Sequence, residues 1–328
     1  MIAAPNAALI FGISGQDGAY LTRVLLDRGF VVHGTSRDCE MASFANLAQL
    51  GVRERVKLHS AVPTDFHSVL QVISAVRPVH IYNLAAQSSV GLSFDQPLET
   101  INSIIGGTLN ILEAIRVLDL EARFYNASSS ECFGNTGDGP ADEATPFRPR
   151  SPYGVGKAAA FWAVANYRES YNLFACSGLL FNHESPLRPA RYVTQKIVRG
   201  AADIAEGRAE RLQLGTLGIA RDWGWAPEYV EAMVRMLECD RPEDFVIATG
   251  ELHTLEDFVA RTFDHFGLDW RRHVETDPAL RRPSDIQVSV GNPAKAERLL
   301  GWRVETPMPA MVERLLEAEI ARRRAGRD

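Results

Sequence analysis

The feature that most constrains the fold is a glycine-rich turn close to the N-terminus. A short apolar run at 7–12 (AALIFG) leads into GISGQDG at 12–18, and AYLTRVLLDRG follows with the spacing of an amphipathic helix. The first glycine of such a turn permits the tight bend, the second lets the backbone approach a pyrophosphate, and the third lets the helix pack on the strand. The N-terminus of the helix then offers unpaired N–H groups to the phosphates. We therefore predict a dinucleotide site that contains Gly12, Gly15, Gln16, Asp17 and Gly18.

The rest of the first half alternates short apolar runs with amphipathic stretches. This alternation is typical of a parallel sheet covered by helices, so we predict an α/β fold with a Rossmann-type doubly wound parallel sheet. The predicted strands are 7–12, 31–36, 56–60, 80–86, 123–129 and 177–182, and the predicted helices are 18–28, 66–76, 98–117 and 152–171.

The pattern changes after about residue 180, where Pro and Gly separate shorter units. We predict helices at 192–206, 226–238, 254–267 and 308–324 in this part. Residues 1–180 are predicted to form the dinucleotide-binding domain that carries the catalytic residues. Residues 181–328 are predicted to form a smaller α/β substrate-binding lobe, with segments at about 215–250 returning to the first domain.

Charge and hydropathy exclude several classes of partner. The net charge is -6, and no long basic face is available to neutralise phosphates, so we expect no nucleic-acid partner. No apolar run reaches the roughly 18 residues that a membrane span needs, so we expect no membrane partner. The N-terminal MIAAPNAALIFGISG lacks a basic region, and we interpret it as a first strand and not as a signal peptide.

The four cysteines, Cys39, Cys132, Cys176 and Cys239, are scattered, without a CxxC pair and without a nearby His for a metal cluster. We therefore predict no metal site and expect a reduced compartment, the cytoplasm. Cys132 directly follows the candidate catalytic segment. A small buried thiol is the favoured interpretation of this residue, with a nucleophile as the alternative.

The end of the second predicted strand bears on the choice of dinucleotide. An NAD site usually has an acid there, but this chain has Ser36 followed by Arg37. A hydroxyl and a guanidinium suit a 2′-phosphate, which favours NADP, whereas Asp38 leaves NAD open. The other predicted cofactor contacts are Leu84, Ala85 and Ala86 at the end of the fourth strand, together with Tyr153 and Lys157.

The candidate catalytic residues are Ser129, Glu131, Tyr153 and Lys157. Tyr153 and Lys157 are four apart at the start of a predicted helix, so their side chains point the same way. A neighbouring ammonium lowers the pKa of a phenol, which allows the phenolate to remove a proton from a sugar hydroxyl. Ser129 ends the fifth strand and can hydrogen-bond the same hydroxyl, while Glu131 can project into the same cleft.

The glycine loop, the segment SSSE and the YxxxK pair together resemble extended short-chain dehydrogenases/reductases. Longer stretches resemble the GDP-mannose 4,6-dehydratases: GISGQDGAYL, YNLAAQSSV, ATPFRPRSPYGVGK, NYRESYNLFACSGLLFNHESP, ARDWGWAPEYVEAM and FVIATGE. The resemblance runs from about residue 7 to LGW at 300–302 and so covers nearly the whole chain.

This resemblance implies a GDP-sugar substrate, most simply GDP-mannose, and internal hydride transfer through NADP. Tyr153 would deprotonate the 4-hydroxyl, and Glu131 would take the proton from carbon 5 while the 6-hydroxyl leaves as water. It also implies a homodimer or homotetramer that pairs through the helices at 98–117 and 152–171. The substrate contacts that it implies are Ser88, Asn182, Glu184, Lys196, Arg221, Arg282 and Asp285.

The chain departs from the family pattern around the nucleotide. Ser129 replaces a threonine, Arg37 is followed by Asp38 where the family has a second arginine, and Gln195 replaces another arginine. A related 4-ketoreductase, an epimerase, a GDP-heptose dehydratase and a non-catalytic dinucleotide-binding regulator therefore stay open as alternatives. Glu131 argues against a simple reductase, which needs no base at carbon 5, and the intact catalytic set argues against a regulator.

Overall fold

The structure is a computed structural model that describes residues 6–326. Its strands are β1 Ala7–Phe11, β2 Val31–Ser36, β3 Lys57–Ser60, β4 His80–Asn83, β5 Arg123–Ala127, β6 Ala175–Leu180, β7 Asn182–Glu184, β8 Leu212–Leu214, β9 Ala220–Arg221, β10 Trp223–Trp225, β11 Phe245–Ile247, β12 His253–Thr254, β13 Val274–Thr276 and β14 Val288–Ser289. Its α-helices are α1 Gln16–Asp27, α2 Ala45–Gln49, α3 Phe66–Val76, α4 Val90–Asp95, α5 Pro97–Val117, α6 Pro152–Tyr171, α7 Val193–Ala205, α8 Ala226–Glu238, α9 Leu255–Asp264, α10 Ala294–Leu300 and α11 Met308–Arg324.

Seven parallel strands form the central sheet in the order β11-β6-β5-β4-β1-β2-β3. This order confirms the predicted Rossmann-type sheet. The chain runs outward in one direction from β1 to β3 and then returns to continue from β4 on the other side. Ligands in such sheets bind at the carboxyl ends of the strands beside this reversal, that is, between β1 and β4.

Helices cover both faces of the central sheet. All five residues of β1 are buried, without the alternation of a half-exposed strand, as expected for a strand buried on both faces. One core includes Ile10 and Leu25 with Met233 of α8, and the other includes Leu9 with Ile73 of α3 and Ile111 of α5. Each fully buried side chain of this kind contributes about 1.5–3 kcal/mol, so these two cores hold the sheet rigidly beneath the site.

Several elements differ from the sequence prediction. The seventh strand, β11, was not predicted, because its three residues give no periodic signal. The predicted strand at 80–86 ends as β4 at Asn83. Residues 84–86 instead pass beside the glycine turn, where the N–H of Leu84 donates to the carbonyl of Phe11 at 2.9 Å. The short helices α2, α4 and α10 were also missed, since five to seven residues show too little periodicity.

Part of the C-terminal half packs around a core of its own, and we call this part the smaller lobe. Helices α7, α9 and α11 share a core that contains Val198, Phe258, Phe263 and Met311. Three small sheets border this core, with the strand orders β10-β7, β12-β9-β14 and β13-β8. In contrast, α8 packs on α1 and β11 pairs with β6, so this part of the C-terminal half lies against the central sheet.

Within residues 6–326, no helix has both the length and the apolar character needed to cross a membrane. The same range contains no group of three or more His, Cys, Asp and Glu side chains placed to hold a metal ion.

Candidate active site

The glycine turn between β1 and α1 cannot hold larger residues. Gly12 has φ +87°, and a Cβ placed on it would lie 2.8 Å from the backbone nitrogen of Ala85. A Cβ on Gly18 would lie 2.5 Å from the carbonyl oxygen of Gly12. The turn therefore lies against residues 84–86 and presents bare backbone and the N-terminus of α1, beginning beside Gly15. This arrangement fits the diphosphate of a dinucleotide.

The side chains of Gln16 and Asp17 turn towards the smaller lobe. Gln16 accepts a hydrogen bond from the Ser185 hydroxyl at 2.8 Å and donates to the carbonyl of His183 at 3.3 Å. Asp17 Oδ2 lies 3.0 Å from Nε2 of His183, whose Nδ1 lies 2.7 Å from the carbonyl of Phe181. These two residues of the predicted cofactor loop thus use their side chains to join the loop to the segment that contains β7.

The Asp17–His183 contact has the character of an ion pair. Burial by itself would raise the pKa of Asp17, but the His183 ring and hydrogen bonds from His183 and Gln16 outweigh it and lower this pKa to about 2. Burial also disfavours the imidazolium of His183, yet the Asp17 carboxylate raises the pKa of His183 above its ordinary value. The pair therefore holds the base of the glycine loop firmly against β7.

The residues at the end of β2 differ in how they are engaged. Ser36 is the last residue of the strand, and Arg37 is exposed to solvent. The Asp38 carboxylate accepts hydrogen bonds from the backbone N–H groups of Glu40 and Met41 at 2.9 and 3.1 Å. Asp38 is thus engaged in closing its own turn, whereas the Arg37 side chain is exposed.

Ser129, Tyr153 and Lys157 come together at the carboxyl end of β5. The Ser129 side chain lies near the Tyr153 phenol and acts to lower its pKa, and the Ser129 hydroxyl accepts a hydrogen bond from the N–H of Glu131 at 3.2 Å. The Lys157 ammonium donates to the carbonyl of Ala127 at 2.6 Å and lies 5.7 Å from the centre of the Tyr153 ring. All three predicted catalytic residues are buried. Helix α6 orients the pair because Ser151 caps it, accepting from the N–H of Gly154 at 3.0 Å, and because Pro152 begins it.

Burial dominates the titration of this trio. It raises the pKa of Tyr153 well above its ordinary value, although the nearby Ser129 side chain acts in the opposite direction. It also lowers the pKa of Lys157 to about 8, because a buried ammonium has lost its hydration. In the protein alone, the phenol is therefore neutral at neutral pH, and the ammonium loses its proton more readily than an exposed lysine.

Glu131 lies on the same side of the cleft as Tyr153. Its Oε2 accepts a hydrogen bond from the Ser151 hydroxyl at 3.5 Å, and its carboxylate contributes to the raised pKa of Tyr153. Burial raises the pKa of Glu131, while the guanidinium groups of Arg282 and Arg221 partly offset this effect. A carboxylate with a raised pKa is a stronger base than that of an exposed glutamate, which suits it to accept a proton from a substrate.

The residues Arg221, Arg282 and Asp285 form one cluster near Glu131. Arg221 lies in β9, whereas Arg282 and Asp285 lie in the segment before β14. Asp285 Oδ1 is 3.3 Å from Nη2 of Arg221 and 3.7 Å from Nη1 of Arg282. Two guanidiniums with a single bridging carboxylate leave an excess of positive charge that suits a diphosphate.

The other predicted substrate contacts are distributed differently. The hydroxyl of Ser88 lies 2.7 Å from the hydroxyl of Tyr192, across the cleft. Asn182 begins β7, and Lys196 is half-buried in the first turn of α7. Glu184 is only 2% exposed, and its Oε2 accepts from the Thr194 hydroxyl at 2.7 Å. The structure therefore does not place the Glu184 carboxylate among the open polar groups of the cleft.

Cys132 lies beside the catalytic residues in a fully buried position. Its sulfur is 3.6 Å from the hydroxyl of Ser128, and burial raises the pKa of the thiol to about 11. Because the thiolate is the reactive form, this environment favours the interpretation as a small buried thiol.

Three residues at the site were not predicted from the sequence. Ser151 holds Glu131, and its position directly before a proline at a helix start is a capping signal that could have revealed it. His183 holds the glycine loop. Arg188 forms an ion pair with Glu184 at 3.4 Å and lies 3.9 Å above the ring of Tyr192. No local pattern marks these last two, because their partners come from distant segments.

Comparison with known proteins agrees with this geometry. The family model described as GDP-mannose 4,6 dehydratase matches residues 9–315. A GDP-mannose 4,6-dehydratase of Sinorhizobium fredii (strain HH103) is 43% identical over 325 residues, covering 92% of this chain and 93% of the relative. GDP-mannose 4,6 dehydratase 2 of Arabidopsis thaliana is 42% identical over 323 residues, covering 95% and 86%. Among solved structures, UDP-glucose 4-epimerase of Thermus thermophilus in complex with NAD superposes with a TM-score of 0.81 at 26% identity, covering 94% and 98%.

Proposed function

Because the chain belongs to the GDP-mannose 4,6-dehydratase family, we propose that it converts GDP-mannose to GDP-4-keto-6-deoxymannose by internal hydride transfer. The observation that most supports this reaction is the placement of the Glu131 carboxyl beside the Tyr153 phenol in one cleft. An alcohol oxidation alone needs only the Ser129, Tyr153 and Lys157 set. A second acid–base group at the same hexose is what an elimination adds.

The proposed cofactor is NADP, held by the glycine turn at 12–18 with residues 84–86 behind it. The fit rests on Gly12 and Gly18, where any Cβ would collide with backbone. Arg37 is free to meet a 2′-phosphate, whereas Asp38 is engaged in its own turn, and this contrast favours NADP over NAD. When bound, the nicotinamide supplies the group that accepts a hydride from the sugar and later returns it.

Tyr153 acts as the base at the hydroxyl on carbon 4 of the hexose. The Ser129 hydroxyl, which lies near the Tyr153 phenol, would orient that substrate hydroxyl. The Lys157 ammonium would stabilise the phenolate, and its own hydrogen bond to the Ala127 carbonyl fixes it in place. Because burial raises the pKa of Tyr153 in the protein alone, the phenol needs this stabilisation to act as a base.

Glu131 acts at the next step. Oxidation of carbon 4 to a ketone acidifies the hydrogen on carbon 5, and the Glu131 carboxylate takes that proton. The electron pair of the broken C–H bond forms a double bond between carbons 5 and 6, and the 6-hydroxyl leaves as water with a proton from Glu131. Burial raises the pKa of Glu131, which suits it to hold the proton between these two events.

The nucleoside diphosphate is proposed to lie along the positive cluster of the smaller lobe. Arg221 and Arg282 would face its phosphates, with Lys196 as a further cation and Asp285 as the bridging acid. The polar side chains of Ser88 and Asn182 are proposed as further substrate contacts. Glu184 is proposed to act indirectly, by holding Arg188.

The proposal is tested by incubating the purified protein with GDP-mannose and no added reductant. We expect a 4-keto-6-deoxy product without net consumption of NADPH. Turnover only with a keto-sugar and added NADPH would point to a reductase, and turnover of a GDP-heptose alone would reassign the substrate. Dinucleotide binding with no turnover of any nucleotide sugar would point to a regulator.

Replacement Glu131→Gln isolates the elimination step. It keeps the size and hydrogen bonding of the side chain but removes the proton acceptor, so we expect product formation to fall by about 10²- to 10³-fold. Cofactor binding, measured by fluorescence titration, should stay unchanged. A fully active variant would show that Glu131 is not the base.

We also propose that α5 and α6 form the interface of a homodimer. Leu98 on α5 and Trp162 on α6 are 83% and 63% exposed, and α6 also exposes Val155. A shallow groove that includes Ile101 and Ile105 continues this apolar face along α5. Sedimentation should detect a dimer that Trp162→Glu dissociates, while a heavier species would indicate a tetramer.

The compartment proposed for this reaction is the cytoplasm. All four cysteines carry free thiols, which suits a reducing environment.

A further inference from the structure

We propose that Tyr192 is a specificity-determining residue whose hydroxyl, together with that of Ser88, binds the hexose of the nucleotide sugar. This inference rests on the proposed function, since it assumes that a hexose is the group presented to Tyr153. It adds a substrate contact outside the arginine cluster, supplied by the segment that enters α7.

Tyr192 reaches across the cleft from the smaller lobe. It is the residue directly before α7, and its hydroxyl lies 2.7 Å from the hydroxyl of Ser88, which follows β4 on the central sheet. The carboxyl end of β4 borders the reversal of strand order where ligands bind in this fold. The Ser88–Tyr192 contact is therefore a hydrogen bond between the two lobes at the ligand-binding edge.

The ring of Tyr192 is held in a fixed orientation. The guanidinium of Arg188 lies 3.9 Å from the ring centre, and that of Arg191 lies 5.1 Å from it. Arg188 is itself fixed by its ion pair with the buried Glu184, which also accepts from Thr194 of α7. A ring supported in this way presents its hydroxyl at a defined point, as a selective contact requires.

Tyr192 also lies close to the reacting centre. Its phenol is near enough to Tyr153 to contribute, with Glu131, to the raised pKa of that residue. The guanidinium of Arg188 interacts with both tyrosines. A hexose with one hydroxyl at Tyr153 therefore brings its other ring hydroxyls near Tyr192. Both Ser88 and Tyr192 can donate and accept, so the pair can open to include a sugar hydroxyl without leaving a polar group unsatisfied.

The experiment compares the binding of GDP and GDP-mannose by calorimetry, using the full chain loaded with NADP and carrying Tyr153→Phe, so that bound GDP-mannose is not turned over. Tyr192→Phe keeps the ring and its contact with Arg188 but removes the hydroxyl. We expect GDP-mannose to bind about three- to tenfold more weakly, the equivalent of one hydrogen bond, while the affinity for GDP stays the same. The KM for GDP-mannose should rise by a similar factor.

The matched control is Tyr171→Phe. Tyr171 also has an arginine near its ring, with Arg116 at 5.3 Å, but it lies at the far end of α6. This control should leave both affinities and the KM unchanged. Ser88→Ala should reproduce part of the loss for GDP-mannose, because it removes the other half of the contact.

Two results would overturn the proposal: an unchanged affinity of Tyr192→Phe for GDP-mannose, or an equal loss for GDP and GDP-mannose. The second would place Tyr192 at the nucleotide or in the fold and not at the hexose. Because the calorimetric comparison needs no turnover, it remains separate from the KM measurement and from the dehydration assay. A failure of that assay leaves the comparison of the two ligands interpretable.

Discussion

The two sides of the cleft handle buried charge in opposite ways. On the tyrosine side, burial outweighs the charges that act on Tyr153 and Lys157, so it raises the pKa of the phenol and lowers that of the ammonium. On the arginine side, Arg221 and Arg282 share Asp285 and also face Glu131. Opposite charges there partly replace the water that burial removes.

This difference indicates that the arginine side serves ligand binding and the tyrosine side serves the chemical step. The arginine side carries its charge before any ligand arrives, and so it can attract an anion from solution. On the tyrosine side, burial keeps the phenol neutral at neutral pH in the protein alone. We therefore expect proton removal to begin only when cofactor and substrate are both bound.

Tyr153→Phe has the largest expected effect and tests whether the two sides of the cleft act independently. Because this change removes the phenol that we propose as the base, we expect kcat to fall by about 10³-fold with little change in the affinity for GDP. Stopped-flow turnover together with calorimetry measures both. If GDP affinity fell as much as kcat, the two sides would not be independent.

Lys157→Met tests the burial effect on the tyrosine side. A pKa lowered from 10.5 to about 8 means that the buried ammonium destabilises the fold at neutral pH, by about 3 kcal/mol. We therefore expect the variant to lose activity yet gain up to that amount in free energy of unfolding at pH 7, measured with urea.

The lowered pKa of Lys157 also predicts how the stability of the wild-type protein depends on pH. Between about pH 8 and 10.5 the unfolded chain holds the Lys157 proton and the folded chain does not, so this residue makes stability rise with pH in that window. The control for Lys157→Met is Lys295→Met. Lys295 also donates to a carbonyl, at 2.8 Å, but it forms an ion pair with Glu243. A gain of stability in Lys295→Met as well would discredit the argument.

Arg282→Gln tests the arginine side. Removing one of two guanidiniums that would face the diphosphate should weaken GDP binding about tenfold and reduce its dependence on salt. The neighbouring Arg281→Gln changes the net charge equally, outside the cluster, and should have a much smaller effect. Equal effects of the two variants would mean that only overall charge matters. Calorimetry at two ionic strengths measures both the affinity for GDP and its dependence on salt.

The smallest expected effect comes from Ser151→Ala, at the junction of the two sides. Ser151 caps α6 and also bonds Glu131, so its loss should cost about 1 kcal/mol of stability and move the pH profile of kcat to higher pH. Thr254→Ala removes a comparable cap, on α9, and should lower stability alone. A profile that does not move would show that Ser151 acts only as a cap.

Local patterns in the sequence were sufficient for the parts of the site that are built from contiguous residues. The glycine turn was predictable because a strand, a bend and a helix N-terminus follow each other within about a dozen positions, and each has its own residue preferences. The Tyr153–Lys157 pair was predictable for the same reason, since a helix brings residues four apart to one face. The predicted parallel sheet is likewise confirmed by β1 to β6.

Only the tertiary structure decided which distant side chains meet. Gln16 and Asp17 lie in the predicted turn, but their side chains bond residues 183–185, more than 160 positions away. The grouping of Arg221 with Asp285 and the burial of Glu184 depend in the same way on how the smaller lobe packs. Such contacts follow from the positions of whole strands and helices, and these positions are set by the total burial of apolar surface, which no short stretch of sequence specifies.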